Sequence, residues 1–134
     1  MKKGEEIKFK DINLIALKLS DLIETNKEKI ISILTKYETY QTAEDEISRS
    51  LDLLKNLEKN KEYFKERIGK VAVFMPSNQP LYSYICFGFI PSIMSEKVCI
   101  KSPEIMSHFY YEMANMLTLK NHENNIQIMN APRS

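Results

Sequence analysis

Val71-Ala72-Val73-Phe74-Met75-Pro76-Ser77-Asn78-Gln79-Pro80 carries the strongest fold signal in this chain. Five consecutive apolar residues read as a short strand covered on both faces. Pro76 to Gln79 is a turn, and Pro80 suits the first position of a helix, where its missing N–H costs nothing. A helix of roughly 80–93 follows. It is apolar nearly all round (Leu81, Ile85, Phe89, Ile93), with Gly88 and Pro91 as weak points. Lys97 to Lys101 is the next strand. Ser102-Pro103-Glu104 reads as a helix start, with Ser as cap, Pro first and Glu favoured by the dipole, running to about Lys120. A loop over Asn121 to Asn125 leads to a third strand, Ile126-Gln127-Ile128-Met129. Strand, helix, strand, helix, strand is the mononucleotide-binding half of an open α/β sheet with parallel strands.

Upstream the period changes to that of helices. Residues 9–24 place Ile12, Ile15, Leu19, Leu22 and Ile23 on one stripe. Thr25-Asn26-Lys27-Glu28 has the form of a capping box opening a second helix faced by Ile30, Ile31, Ile33, Leu34 and Tyr37. Thr42 reads as the cap of a third, longer helix with Ile47, Leu51, Leu54 and Leu57. That helix is expected to break near Asn60 and resume through Tyr63, Phe64 and Ile68, with Gly69 at its end. Residues 1–70 hold 15 Lys/Arg and 14 Asp/Glu, against 4 of each in residues 71–134. The expected organisation is a solvated helical segment over 1–68, packed on a βαβαβ half-domain over 69–134.

At 134 residues and 15.7 kDa the chain can bury a core without disulfides or metal. A net charge of +1 argues against a nucleic-acid partner. Two cysteines, Cys86 and Cys99, are too few for a disulfide scaffold or a cysteine zinc site, and His108 and His122 do not make a metal site. The cysteines read as small core side chains and the histidines as structural or solvated groups. The start shows no signal-peptide pattern, and the mostly apolar stretch 81–94 is too short for a bilayer. A cytoplasmic protein without membrane attachment is the expectation.

In open α/β sheets ligands bind beyond the carboxyl ends of the strands. Asn78 and Lys101 sit there, with Glu104 three residues after the lysine. An Asn amide can donate to an oxygen gaining negative charge. A Lys and a Glu can hold ribose hydroxyls, one donating and one accepting. The alternatives are an Asn that bonds its own turn and a surface Lys/Glu pair at a helix start. No Gly-x-Gly-x-x-Gly follows the first strand, so a standard phosphate-cradling loop is missing.

Gly69 to Leu81, then Ile90-Pro91-Ser92-Ile93, then Val98-Cys99-Ile100-Lys101-Ser102-Pro103-Glu104 resemble the aldehyde dehydrogenase superfamily, including its acyl-CoA reductase-like members. There a Pro-x-Asn-x-Pro turn follows the first cofactor-domain strand, and a later strand ends in Lys-Pro-x-Glu. The likeness extends upstream through Tyr37-Glu38-Thr39 and residues 43–47. It implies a partial Rossmann-like cofactor domain. Asn78 would orient a substrate carbonyl. Lys101 and Glu104 would contact the adenosine ribose of NAD, with NADP disfavoured because the Glu104 carboxylate repels a 2′-phosphate. Met75, Pro76 and Ser77 would line the nicotinamide side. The chain departs from the pattern at Ser77, where Trp is common, at Ser102-Pro103, which inverts the usual order, and at Ser95-Glu96, where Gly-Asn makes the turn. Family enzymes are several-fold longer, and neither Cys86 nor Cys99 aligns with their nucleophile. The resemblance therefore implies an N-terminal fragment of an NAD(P)-dependent oxidoreductase without catalytic cysteine or general base. The alternative is a non-catalytic nucleotide- or protein-binding module derived from that family. A half-sheet leaves a bare strand edge and apolar faces, so self-association or a complementing polypeptide is expected.

Overall fold

The computed structural model describes residues 4–119 and 125–130. The first helix, α1 (Phe9–Thr25), buries Ile12, Ala16, Leu19 and Ile23 at three- and four-residue steps. Helix α2 (Lys27–Leu34) buries Ile30, Ile33 and Leu34. Helix α3 (Tyr40–Lys55) buries Ala43, Glu46, Ile47, Ser50 and Leu54. Each fully buried aliphatic side chain contributes about 1.5–3 kcal/mol, so these stripes, more than intrinsic propensity, hold the three helices together.

The expected caps are displaced. Thr25 Oγ1 donates to the Asp21 carbonyl, and the cap position of α2 falls to Asn26. Thr39, rather than Thr42, caps α3, its hydroxyl accepting from the Thr42 N–H at 3.2 Å. Helix α3 does not resume through Ile68 either. A 3₁₀ segment, Leu57–Tyr63, kinks at Asn60 (φ −116°), and the chain then extends. Residues 4–7 run antiparallel to 65–67, and Ile68 and Gly69 lie inside a strand, not at a helix end.

Strand β1 (Ile68–Phe74) pairs with β2 (Ser95–Ser102), and β2 with β3 (Ile126–Asn130), both parallel, in the order β1-β2-β3. The protein is thus a mixed α/β structure with a three-stranded parallel sheet. Between β1 and β2 runs a helical stretch in three parts: α4 (Pro80–Ser83), a π-helix over Tyr84–Phe89, and α5 (Ile90–Ser92). Pro91 explains the wide middle turn. It has no N–H to give, and its ring would collide with the carbonyl four residues back, so the backbone loosens there.

In the second connection the helix begins later than expected. Ser102 closes β2 and Pro103 is extended (φ −56°, ψ 145°), so neither opens a helix. A 3₁₀ turn, Glu104–Met106, precedes α6 (Ser107–Met116). The expected end near Lys120, the loop residues 121–124 and His122 lie outside the described residues. One continuous core joins the helices to one face of the sheet. Edge-on contact of the Tyr37 and Phe109 rings, 5.7 Å between centroids, links the turn between α2 and α3 to α6. Among the described residues, no helix is long and apolar enough to cross a membrane.

Candidate functional site

The carboxyl end of the sheet is where backbone polar groups run out of strand partners. Phe74, the last residue of β1, is the register partner of Lys101, and the Met75 N–H donates to the Lys101 carbonyl at 2.8 Å. The turn is then pinned from two sides. The Tyr110 hydroxyl, from α6, donates to the Pro76 carbonyl at 3.1 Å. The Arg49 guanidinium, from α3, donates to Gln79 Oε1 at 2.7 Å and lies 4.6 Å from the centre of the Tyr82 ring. Gln79 takes a left-handed conformation (φ 49°, ψ 54°), which lets Pro80 begin α4.

The predicted site residues fall as follows. Met75 is buried under the turn, and Pro76, Ser77 and Asn78 are exposed. Asn78 makes no hydrogen bond among the described residues. Lys101 is half-buried on the side of the sheet away from the helices, its ammonium 5.2 Å from the centre of the Phe74 ring. Glu104 is exposed at the start of the 3₁₀ turn, and its carbonyl accepts from the Ser107 hydroxyl at 2.9 Å. The register thus places the Asn78 turn and Lys101 on one edge. The Asn78 amide lies on the turn, and the Lys101 ammonium lies over Phe74.

The two cysteines are separate. Cys86 sits in the π-helix, where burial raises its thiol pKa against the lowering influence of the Tyr82 hydroxyl and Arg49, leaving little nucleophilic thiolate. Cys99 is in β2, its thiol donating to Met129 Sδ at 3.0 Å. His108 is exposed on α6, 3.1 Å from Glu112. Among the described residues, no group of three or more His, Cys, Asp or Glu side chains could hold a metal ion.

The structure adds a feature that the sequence reading missed. Glu46 is completely buried, and its Oε1 accepts from the Tyr82 N–H at 3.1 Å. Burial first, and then the carboxyl of Glu38 beside it, push the Glu46 pKa up to about 9. At neutral pH this group is a neutral acid, and its bond from the Tyr82 N–H holds the first turn of α4 against α3. Tyr110 feels the same environment: burial, then Glu46, raise its phenol pKa. The signal was present in the sequence, because Glu46 occupies a core position of the α3 stripe, three residues after Ala43 and one before Ile47. Cavities elsewhere include one of about 860 Å³ between residues 6–9 and 58–65. It is lined largely by Lys and Glu side chains and lies before the amino end of β1, away from the edge where an α/β sheet binds ligands. No protein-family model matches the chain, and no curated protein matches it.

Proposed function

We propose that the chain is an N-terminal part of an aldehyde dehydrogenase-like, NAD-dependent oxidoreductase, a Rossmann-like half-domain of a cytoplasmic protein that retains part of a cofactor site. The observation that carries this reading is the Phe74–Lys101 register with its 2.8 Å closure at Met75. It sets the Asn78 turn and the Lys101 strand end side by side on the carboxyl edge of a β1-β2-β3 parallel sheet, the edge at which such sheets take nucleotides. In this reading the Lys101 ammonium donates to a ribose hydroxyl and the Glu104 carboxylate accepts from one, disfavouring a 2′-phosphate. Met75, Pro76 and Ser77 border the nicotinamide. The Asn78 amide, exposed and without a hydrogen-bond partner among the described residues, donates to a carbonyl oxygen as it gains charge. A thiol nucleophile is supplied by another part of the enzyme, and the chain alone does not turn over substrate.

A second reading is a non-catalytic module that binds a nucleotide or a protein, and the uncovered side of the sheet favours it. Titration calorimetry separates the two. The first reading expects heat on titrating NAD, weaker heat for NADP, and an affinity at least tenfold lower in Lys101→Ala, about 1.4 kcal/mol. Heat absent at millimolar NAD, or an affinity unchanged in Lys101→Ala, would remove the cofactor role from this edge.

A further inference from the structure

Side chains alternate across β1: Ile68, Lys70, Ala72 and Phe74 are exposed, whereas Val71 and Val73 are half-buried. The register carries this division across the sheet. Val98 and Ile100, fully buried, share a side with Val71 and Val73. On the other side Ala72 lies beside Cys99 and Cys99 beside Gln127, while Phe74 lies beside Lys101 and Lys101 beside Met129. Phe74 is 69% exposed, Met129 40% and Ile68 38%, so among the described residues this side is uncovered except at Ser95, the buried register partner of Ile68. Parallel sheets are otherwise found almost only with both faces covered.

The bare side has shape and charge. Small side chains at Ala72 and Cys99 leave a shallow cavity of about 210 Å³, bordered by Lys70, Lys97 and Gln127. Phe74 and Met129 stand at its far end. The charged strand residues on this side are all cationic: Lys70 and Lys97 are direct register partners, and Lys101 lies four residues beyond Lys97. Glu96, by alternation, points the other way. Two like charges side by side on one face destabilise a bare sheet, and a third adds to the unfavourable potential. Lys97 and Lys101 are about 13 Å apart along an extended strand, the length of about nine residues of α-helix.

We propose that this side of the sheet docks an amphipathic helix from another polypeptide. Its apolar stripe would lie over Ala72, Cys99, Met129 and Phe74. Its flanking Asp or Glu residues, about eight or nine positions apart, would meet Lys70 and Lys97 at one end and Lys101 at the other. Charge selects this occupant over a second copy of the chain: two such faces laid together bring lysines against one another with no acid from the strands between them. The inference does not rest on the cofactor reading: it needs only the bare side of the sheet, which shares Lys101 with the carboxyl edge.

The test uses the whole chain and two fluorescein-labelled synthetic helices of about 18 residues. Both carry the same leucine stripe, one flanked by Glu and the other by Lys at the same positions. Fluorescence anisotropy is expected to show the Glu helix binding at least tenfold more tightly than the Lys helix. That preference should reverse in the double variant Lys97→Glu/Lys101→Glu, whose fold is checked by circular dichroism. Lys97→Gln/Lys101→Gln, a milder pair, should abolish the preference without reversing it. Phe74→Asp should weaken the Glu helix in an otherwise folded chain. Equal binding of the two helices, no binding at millimolar peptide, or sedimentation showing a dimer that Phe74→Asp dissociates would overturn the proposal. NAD titration of the unsubstituted chain and of Phe74→Asp, both of which keep Lys101, reports on the carboxyl edge separately.

Discussion

The Tyr82 backbone N–H donates to the buried Glu46 carboxyl at 3.1 Å, tying the first turn of α4 to the middle of α3 across 36 residues of sequence. Helix α3 precedes the sheet and α4 follows β1, so this one bond joins the N-terminal helices to the turn that bears Asn78. The carboxyl can hold that position because it stays protonated beside Glu38.

That protonation makes stability depend on pH in a defined direction. The ordinary value for the group is near 4.5 and burial raises it in the folded chain to about 9. Between those values the folded protein holds a proton that the unfolded chain has released, so unfolding free energy falls as pH rises. The groups facing Glu46 are Glu38 and the phenol of Tyr110. The phenol's own raised pKa keeps it neutral through most of this range. The melting temperature is expected to drop steadily from pH 6 to pH 9. In Glu46→Gln, which keeps the acceptor for Tyr82, the slope should flatten and the chain should be the more stable of the two at pH 9. Parallel melting curves for both proteins across this range would contradict the assignment.

Gln79 separates backbone strain from side-chain bonding. A non-glycine residue at φ 49° pays for the missing freedom of glycine, and here the side chain is also held by Arg49. Gln79→Gly and Gln79→Ala lose the Arg49 bond alike. Their difference therefore reads the backbone alone: the glycine variant should be the more stable by about 1 kcal/mol in urea unfolding. Equal stability would mean that the turn changes conformation when the Arg49 contact is lost.

Tyr110 gives a smaller effect. Tyr110→Phe keeps the buried ring and removes the donor to the Pro76 carbonyl, 3.1 Å away. The expected loss is about 1 kcal/mol, the ordinary net value of such a bond. Hydrogen exchange should quicken at Ser77 and Asn78 and not in α1. Uniformly faster exchange would mean that the ring had shifted rather than the turn.

The strands were legible because short apolar runs rich in Val and Ile, bounded by Pro, Ser or Asn, leave few options: Val71 to Phe74, Val98 to Ile100 and Ile126 to Met129 all lie in observed strands. The helix ends were not, because caps are chosen by geometry that sequence patterns share. Thr25 and Thr42 both fit a capping pattern, yet Asn26 and Thr39 take the positions. In the sequence Ile68 and Gly69 read as the tail of a helix, since the charged run before them hides the point at which the period changes. Asn78 and Lys101 could be placed on one edge by counting from the strand ends. The Glu46–Glu38 pair could not be placed, because it depends on a third partner, Tyr82, that is remote in sequence. The single-sided cover of the sheet was likewise invisible, as residues 71–75 and 97–101 read the same whether one face is bare or both are packed.

Gly88 tests how closely the interrupted helix lies on the sheet. A Cβ added there would come 2.8 Å from Ile100 Cδ1, inside any real carbon contact, and 3.5 Å from the Tyr84 ring. Ile100 is fully buried in the central strand, so its methyl has little room to retreat. Gly88→Ala should therefore cost about 1–3 kcal/mol despite the better helix propensity of alanine. Ile100→Val removes the opposing methyl and alone costs about 0.5–1.5 kcal/mol. In the double variant the new methyl occupies space that the valine vacates, so the combined loss should fall short of the sum by about 1 kcal/mol. Strict additivity in denaturant unfolding would show that the helix had moved off the sheet instead.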